Sequence, residues 1–332
     1  MRRVLVVGVP RSGTSWVGRV LGSTAGATYV GEPDNHGHAP FAFRAKLGLP
    51  GWFYSAPRDA DGAEAYERLW RSALGFPRLE TSAGLGLVAR ARRKTSGRLL
   101  QTASGDELRR AFQAPGELRR ALRLAAALAV PERPERAAEA IVVKSVQAQL
   151  ALDWIASRFP VEVLLVVRHP LNVVSSWVEM GWIDSADADP LGELDPRVAG
   201  ELERRLGVPP PEPGSSPLAQ ATWLIGLLSS VVLDAARRHP GWHTVVHEEL
   251  CEQPHERFAE TATRLGLRWT EPSDRLLDRL DRPGRGYETA RLAAGLAEIW
   301  RERLTPEQVR EAAAVLAGFP VDDWSARPSS RA

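Results

Sequence analysis

The chain has 332 residues, 44% of them hydrophobic, enough for a sizeable core in one large or two small domains. Its formal charge is +2, spread along the chain, so no global field speaks for a nucleic-acid polymer as partner. Cys251 is the single cysteine, which excludes a disulfide framework and cysteine-built metal clusters. The sequence opens directly into an apolar run, leaving no room for a signal peptide before it. The most apolar later stretch, Ala221 to Val232, is too short to span a bilayer. A soluble, cytoplasmic protein is expected.

Val4-Leu5-Val6-Val7 reads as a buried strand, and Trp16 to Leu21 as an amphipathic helix with Gly22 as its stop. Between them lies Gly8-Val9-Pro10-Arg11-Ser12-Gly13-Thr14-Ser15, a loop with two glycines before a helix start. Backbone N–H groups there converge on an anion, aided by roughly half a positive charge from the helix dipole. The Gly8-to-Gly13 spacing fits a Walker A phosphate loop, but Thr14 stands where such loops carry lysine. The loop's strong cation is Arg11.

Ala27 to Gly31 reads as a second strand, ending in the loop Glu32-Pro33-Asp34-Asn35-His36-Gly37-His38. Ligands bind outside the carboxyl ends of strands in open α/β sheets, which sets Glu32 beside the Arg11 loop if the two strands are near each other. Residues 41–138 read as a helical insertion covering the active site or capping the sheet. Within it are the arginine-rich segment Ala89 to Lys94, a helix near Leu118 to Val130, and the neighbours Trp52, Phe53 and Tyr54.

The core pattern resumes with strands at Ala140 to Val143, ending in Lys144-Ser145, and at Val161 to Val167, ending in Arg168-His169-Pro170. A helix is expected over Val146 to Phe159, and another from Asn172. Residues 184–217 show no strong period and read as a mobile insertion. A long helix over Leu218 to Arg238, a strand over His243 to His247 and a helix over Pro254 to Leu265 follow. Thr305-Pro306-Glu307-Gln308 carries the signature of a capped helix start. This alternation predicts a single α/β domain, three-layered α/β/α, with a mainly parallel sheet, a P-loop-like start and helical insertions.

Three strand ends thus offer cations: Arg11, Lys144 and Arg168. Ser176, eight positions beyond Arg168, adds a hydroxyl about two helical turns along, suited to a second phosphate well apart from the one at the Arg11 loop. Here the chain resembles a known family. Pro10 to Trp16 is similar to the 5′-phosphosulfate loop of sulfotransferases that use 3′-phosphoadenosine 5′-phosphosulfate (PAPS), and Arg168 to Ser176 to their 3′-phosphate motif. His247-Glu248-Glu249-Leu250 with Pro254 resembles the family's short acidic motif, which usually begins with tyrosine. Trp300 through Gln308 resembles its C-terminal signature, and Arg282 to Tyr287 a degraded form of its glycine-containing 3′-phosphate loop.

The resemblance implies transfer of a sulfuryl group from PAPS to a hydroxyl or amine, leaving 3′-phosphoadenosine 5′-phosphate (PAP), with no metal required. Arg11, with Ser12, Gly13, Thr14 and Ser15, is implied to hold the 5′-phosphosulfate. Trp16 is implied to touch adenine, against the plainer reading of a core residue. Arg168 and Ser176, with Arg285 and Gly286, are implied at the 3′-phosphate. Glu32 matches the family's general base, with His36 and His38 as alternatives, and Lys144 the lysine that touches the sulfuryl group. The acceptor stays open among carbohydrates, lipids and other small molecules. Two other classes share the strand–loop–helix start: a phosphotransferase, disfavoured by the missing lysine after Gly13, and a non-catalytic nucleotide-binding protein, which needs no base at Glu32.

Overall fold

A computed structural model describes residues 1–35, 39–46, 53–58, 63–77, 138–183, 196–282 and 295–319, with a few single positions between them. His36, His38, Arg285, Gly286, the segment Ala89 to Lys94 and the stretch Leu118 to Val130 lie outside the described residues.

Among the described residues five strands form one sheet: β1 (Arg2–Gly8), β2 (Ala27–Gly31), β3 (Ala140–Ser145), β4 (Glu162–Val167) and β5 (His243–Val246). Their order is β2-β3-β1-β4-β5 and every pairing is parallel. The expectation of a mainly parallel α/β sheet holds. Parallel strands are covered on both faces, which is why β1, β3 and β4 read as unbroken apolar runs rather than alternating ones. Leu5 and Val7 face one layer, with Ile141, Val143, Val163 and Leu165. Val4 and Val6 face the other, with Val142, Leu164 and Val166. All four β1 side chains are fully buried, each worth roughly 1.5–3 kcal/mol relative to exposure.

Helices α1 (Thr14–Leu21), α2 (Pro40–Lys46), α3 (Glu64–Ala73), α4 (Leu152–Arg158) and α5 (Pro170–Glu179) come next in the chain. They are followed by α6 (Pro196–Leu206), α7 (Pro217–Arg238), α8 (His247–Glu252), α9 (Pro254–Arg264), α10 (Glu271–Leu280), α11 (Trp300–Arg303) and α12 (Pro306–Leu316). Val17, Val20 and Leu21 of α1, with Phe258 of α9 and Leu277 of α10, fill the layer on one face. Tyr66, Leu69 and Trp70 of α3 and Trp154 and Ile155 of α4 fill the other. A third cluster joins Leu171 and Trp177 of α5 to α7 and to Leu316 of α12. Thr305 and Gln308 cap α12 reciprocally, as expected from their spacing.

Three expectations are corrected. Residues 146–159 do not form one helix: a 3₁₀ turn at Gln149–Ala151 precedes α4. The Gln149 side-chain amide donates to the Val146 carbonyl at 2.8 Å, and the Val146 N–H donates to Glu32 Oε2 at 3.1 Å. Both bonds compete with the helical ladder. The stretch 184–217, read as lacking a period, contains α6, whose Val198 and Leu202 stand one turn apart and are buried. Its abundance of Glu and Arg hides that narrow stripe. Finally, α7 starts at Pro217 and is, by length and composition, long and apolar enough to cross a membrane. However, 78% of its most apolar window is buried inside the fold, which is how the central helix of a globular core looks.

Candidate active site

β1 lies between β3 and β4; the chain leaves it for β2 on one side and crosses from β3 to β4 on the other, and such a reversal opens a crevice at the strands' carboxyl ends. The loop 9–13 fills it. Arg11 has φ 74° and Gly13 φ 92°, left-handed turns on either side of Ser12 of the kind from which anion-binding nests are built. Helix α1 begins at Thr14 after the N-cap Gly13, and no side chain caps its first-turn donors. The Trp177 indole donates to the Pro10 carbonyl at 3.1 Å and the Ser12 N–H to the Val9 carbonyl at 2.9 Å. Those two bonds hold the loop rigid from behind.

A left-handed non-glycine residue costs about 1–2 kcal/mol. Among the described residues two adopt it: Arg11 and Glu32, at φ 74° and 53°. Both were singled out for chemistry on sequence grounds, and backbone strain of this kind collects at functional sites. Glu32 is held in place by its own N–H, which donates to the Lys144 carbonyl at 2.7 Å.

Arg168 stands at the end of β4, and its guanidinium donates to the Arg11 carbonyl at 2.7 Å. Arg11 Nε in turn donates to Ser176 Oγ at 2.9 Å. The two anion sites read separately from the sequence therefore meet, because β1 and β4 are neighbours and α5 runs back past the loop. Burial pushes the Arg168 guanidinium down to about 10, with the Glu248 carboxylate opposing, so it stays charged at neutral pH. Among the described residues Arg168 Nε and Ser12 Oγ are buried with no hydrogen-bond partner, and anionic ligand groups are the kind that satisfy such donors.

Lys144 and Glu32 form a buried ion pair. The parallel register sets Gly31 opposite Lys144, which brings the next residue's carboxylate onto the ammonium. Glu32 is not beside the Arg11 loop in the sense expected, since β3 lies between β1 and β2. Two inter-strand spacings, roughly 10 Å, separate the strands, a span that an extended ligand bridges. Lys144 fills the middle.

Trp16 is half-buried, edge-on to Phe258 at 4.8 Å and to His247 at 5.9 Å. It lies at the rim of the core, partly exposed beside the nest. His247 is packed so closely under the loop that a Cβ on Gly13 would fall 2.2 Å from its ring, so position 13 demands glycine for space as well as for φ. Burial, with the Arg168 charge next, drives the His247 imidazole well below its ordinary value. The unfolded chain protonates this ring near 6.5, while the folded chain does so only at much lower pH. Stability is therefore complete above that value and falls on acidification, by up to ~1.4 kcal/mol per pH unit from this group. Urea melts at pH 7 and pH 5 will show a larger loss in the wild type than in His247→Gln; equal losses would mean the folded ring takes the proton.

Sequence reading missed the residues that brace the site. Glu248 Oε1 accepts from the His169 N–H at 3.1 Å and from Asn172 Nδ2 at 2.8 Å. Asn172 also donates to the Ala297 carbonyl at 2.8 Å and accepts from the Trp300 N–H at 3.2 Å. The β4–α5 turn, the acidic segment and the C-terminal segment are thus tied at one amide. Three of the segments singled out by resemblance meet there; each was visible, but only as a separate stretch. Among the described residues no group of three or more His, Cys, Asp and Glu side chains is placed to hold a metal ion.

No protein-family model matches the chain, and no curated protein matches it. Among solved structures it is similar to the sulfotransferase domain from the curacin biosynthetic pathway, with 13% identity, 94% of this chain and 96% of that one covered, and a TM-score of 0.46. It is also similar to the sulfotransferase domain of the Synechococcus PCC 7002 olefin synthase, with 16% identity, 95% and 94% coverage and a TM-score of 0.43. A Mycobacterium avium sulfotransferase gives 14% identity, 97% and 77% coverage and a TM-score of 0.37. At that degree of similarity they carry no weight for the chemistry, which rests on the residues described above.

Proposed function

We propose that this chain is a sulfotransferase that moves the sulfuryl group of PAPS to a hydroxyl or amine of a small-molecule, carbohydrate or lipid acceptor. One observation carries the reading: Arg168, Arg11 and Ser176 are hydrogen-bonded in series around a nest of backbone donors. That arrangement suits a ligand with anionic groups at two places, and the orphaned Ser12 Oγ and Arg168 Nε fit such a ligand. A transferring sulfuryl group carries less negative charge than a phosphoryl group, so fixed guanidinium, ammonium and N–H groups suffice to stabilise it.

In this reading the nest and Arg11 bind the 5′-phosphosulfate, and Arg168 and Ser176 bind the 3′-phosphate. Arg11 stabilises the charge that collects on the departing phosphate. Lys144 supports the sulfuryl oxygens from β3, and Glu32, held next to it, accepts the acceptor's proton. The S–O bond to the phosphate breaks as the acceptor oxygen or nitrogen bonds to sulfur from the opposite side.

Thermal unfolding tests the donor class. PAP at about a hundred times its dissociation constant will stabilise the protein by ~2.7 kcal/mol, without added Mg²⁺. A larger stabilisation by Mg-ATP than by PAP would overturn the reading in favour of a phosphotransferase.

A further inference from the structure

Beneath the site lies a second layer of buried polar groups that the proposed chemistry does not use. Asp34 and Ser145 are 0% exposed, Lys46 is 1%, Gln147 is 0% and Gln149 is 2%. Ser145 Oγ lies 2.7 and 2.9 Å from the two Asp34 carboxylate oxygens, and the Gln147 N–H donates to Ser145 Oγ at 3.0 Å. Lys46 Nζ donates to Gln147 Oε1 at 2.5 Å and to the Phe53 carbonyl at 3.0 Å. Gln149 Nε2 donates separately, to the Gly8 carbonyl at 2.7 Å and the Val146 carbonyl at 2.8 Å.

The Asp34–Ser145–Gln147–Lys46 network touches four segments: the loop after β2, the end of β3 with the turn that follows it, helix α2, and the stretch around Phe53. Asp34 follows Glu32 by two residues, and Ser145 follows Lys144 directly. At its far end Phe53 packs edge-on against Tyr54 at 4.8 Å, and Tyr54 is buried in the same cluster as Val9 of the anion loop and Trp177. Burial raises the Asp34 carboxyl above its ordinary range, with the Lys46 charge opposing. A buried lysine and carboxylate are generally no more stabilising than apolar residues of equal size, so stability alone gives no reason for them here. Fixing one geometry does.

We propose that Lys46 and Asp34 are positioning residues: they clamp the loop that carries Glu32 to helix α2 and the Phe53–Tyr54 segment, so that the base keeps one fixed position. The clamp rests on the sulfotransferase reading above. Lys46 touches neither donor nor acceptor; it acts through Glu32.

A double-mutant cycle tests this with water as the acceptor, so that no acceptor need be known. In the sulfotransferase reading the wild-type chain, given no acceptor, hydrolyses PAPS to PAP and sulfate: water oxygen bonds to sulfur, the sulfur–phosphate oxygen bond breaks, and the water proton goes to Glu32. Lys46→Met will lower this rate by roughly 10²-fold, the cost of an ångström-scale misplacement, while calorimetric PAP affinity stays within about twofold of wild type. In a Glu32→Gln background the same substitution will have almost no further effect, since a clamp that works through the base has nothing left to position. Lys46→Gln keeps a donor for Phe53 and Gln147 and will recover part of the rate; it also serves if Lys46→Met does not fold. Losses that multiply in the double variant, or a Lys46→Met rate equal to wild type, overturn the clamp while leaving the sulfotransferase reading in place. A wild-type protein that neither binds PAP nor turns over PAPS overturns that reading and the clamp with it.

Discussion

Arg11→Ala will reduce sulfuryl transfer by ~10²–10³-fold or more, the scale of losing one preorganised donor at a site of developing charge, with the fold intact. The fold should survive because the loop is held by its main chain. Arg168 grips the Arg11 carbonyl, Trp177 the Pro10 carbonyl and Ser12 the Val9 carbonyl, and none of these bonds uses the Arg11 side chain. What disappears is the guanidinium that reaches Ser176. Arg11→Lys will recover only part of the rate, because an ammonium is a point charge without the planar fork that bridges a phosphate oxygen and a hydroxyl. Turnover of labelled PAPS, measured beside an unchanged circular-dichroism spectrum, checks both variants. Full activity in Arg11→Ala would remove the residue from the mechanism.

Glu32→Gln will lower turnover by ~10²–10⁴-fold, the usual contribution of a positioned general base, with PAP affinity nearly unchanged. Glutamine keeps the shape and an oxygen to accept from the Val146 N–H, so the loop conformation at φ 53° is retained. Two things are lost: the proton acceptor and the counter-charge of buried Lys144. The second loss will lower stability by about 1–3 kcal/mol, the cost of leaving a buried polar group poorly matched. Paired measurements of rate and melting temperature separate these effects, since Lys144→Met in the same background will restore stability without restoring rate. If His36→Ala removes activity and Glu32→Gln does not, the histidine loop holds the base instead.

The parts of this protein that were legible in its sequence share one property: the information is local. Val4 to Val7, Ala140 to Val143 and Val161 to Val167 read as buried parallel strands because both faces of such strands need apolar side chains. Gly13 announced a loop because φ 92° suits glycine, and Thr305 announced a helix start because a cap is built from neighbours. The boundaries of β2 followed for the same reason.

Where neighbours competed with distant partners, the distant partners won. Residues 146–151 had helical spacing, yet Glu32 took the Val146 N–H and Gln149 reached across to Gly8. The stripe of α6 was too narrow to stand out among its charges. Asp34 lay unremarked in the loop 32–38 and Lys46 in the insertion 41–138. Their mutual burial depends on the loop after β2, helix α2 and the end of β3 meeting.

The sequence by itself determined that this is an α/β protein whose strand ends carry Arg11, Glu32, Lys144 and Arg168, since strand, loop and helix signals are all short-range. Only the tertiary structure decided how those ends relate. With the order β2-β3-β1-β4-β5, Lys144 pairs with Glu32 and Arg11 with Ser176, because pairing in a parallel sheet is set by which crossover packs on which face. No single strand carries that information. The anion loop supplies its own nest from two left-handed residues, and the sheet supplies everything that nest leans on.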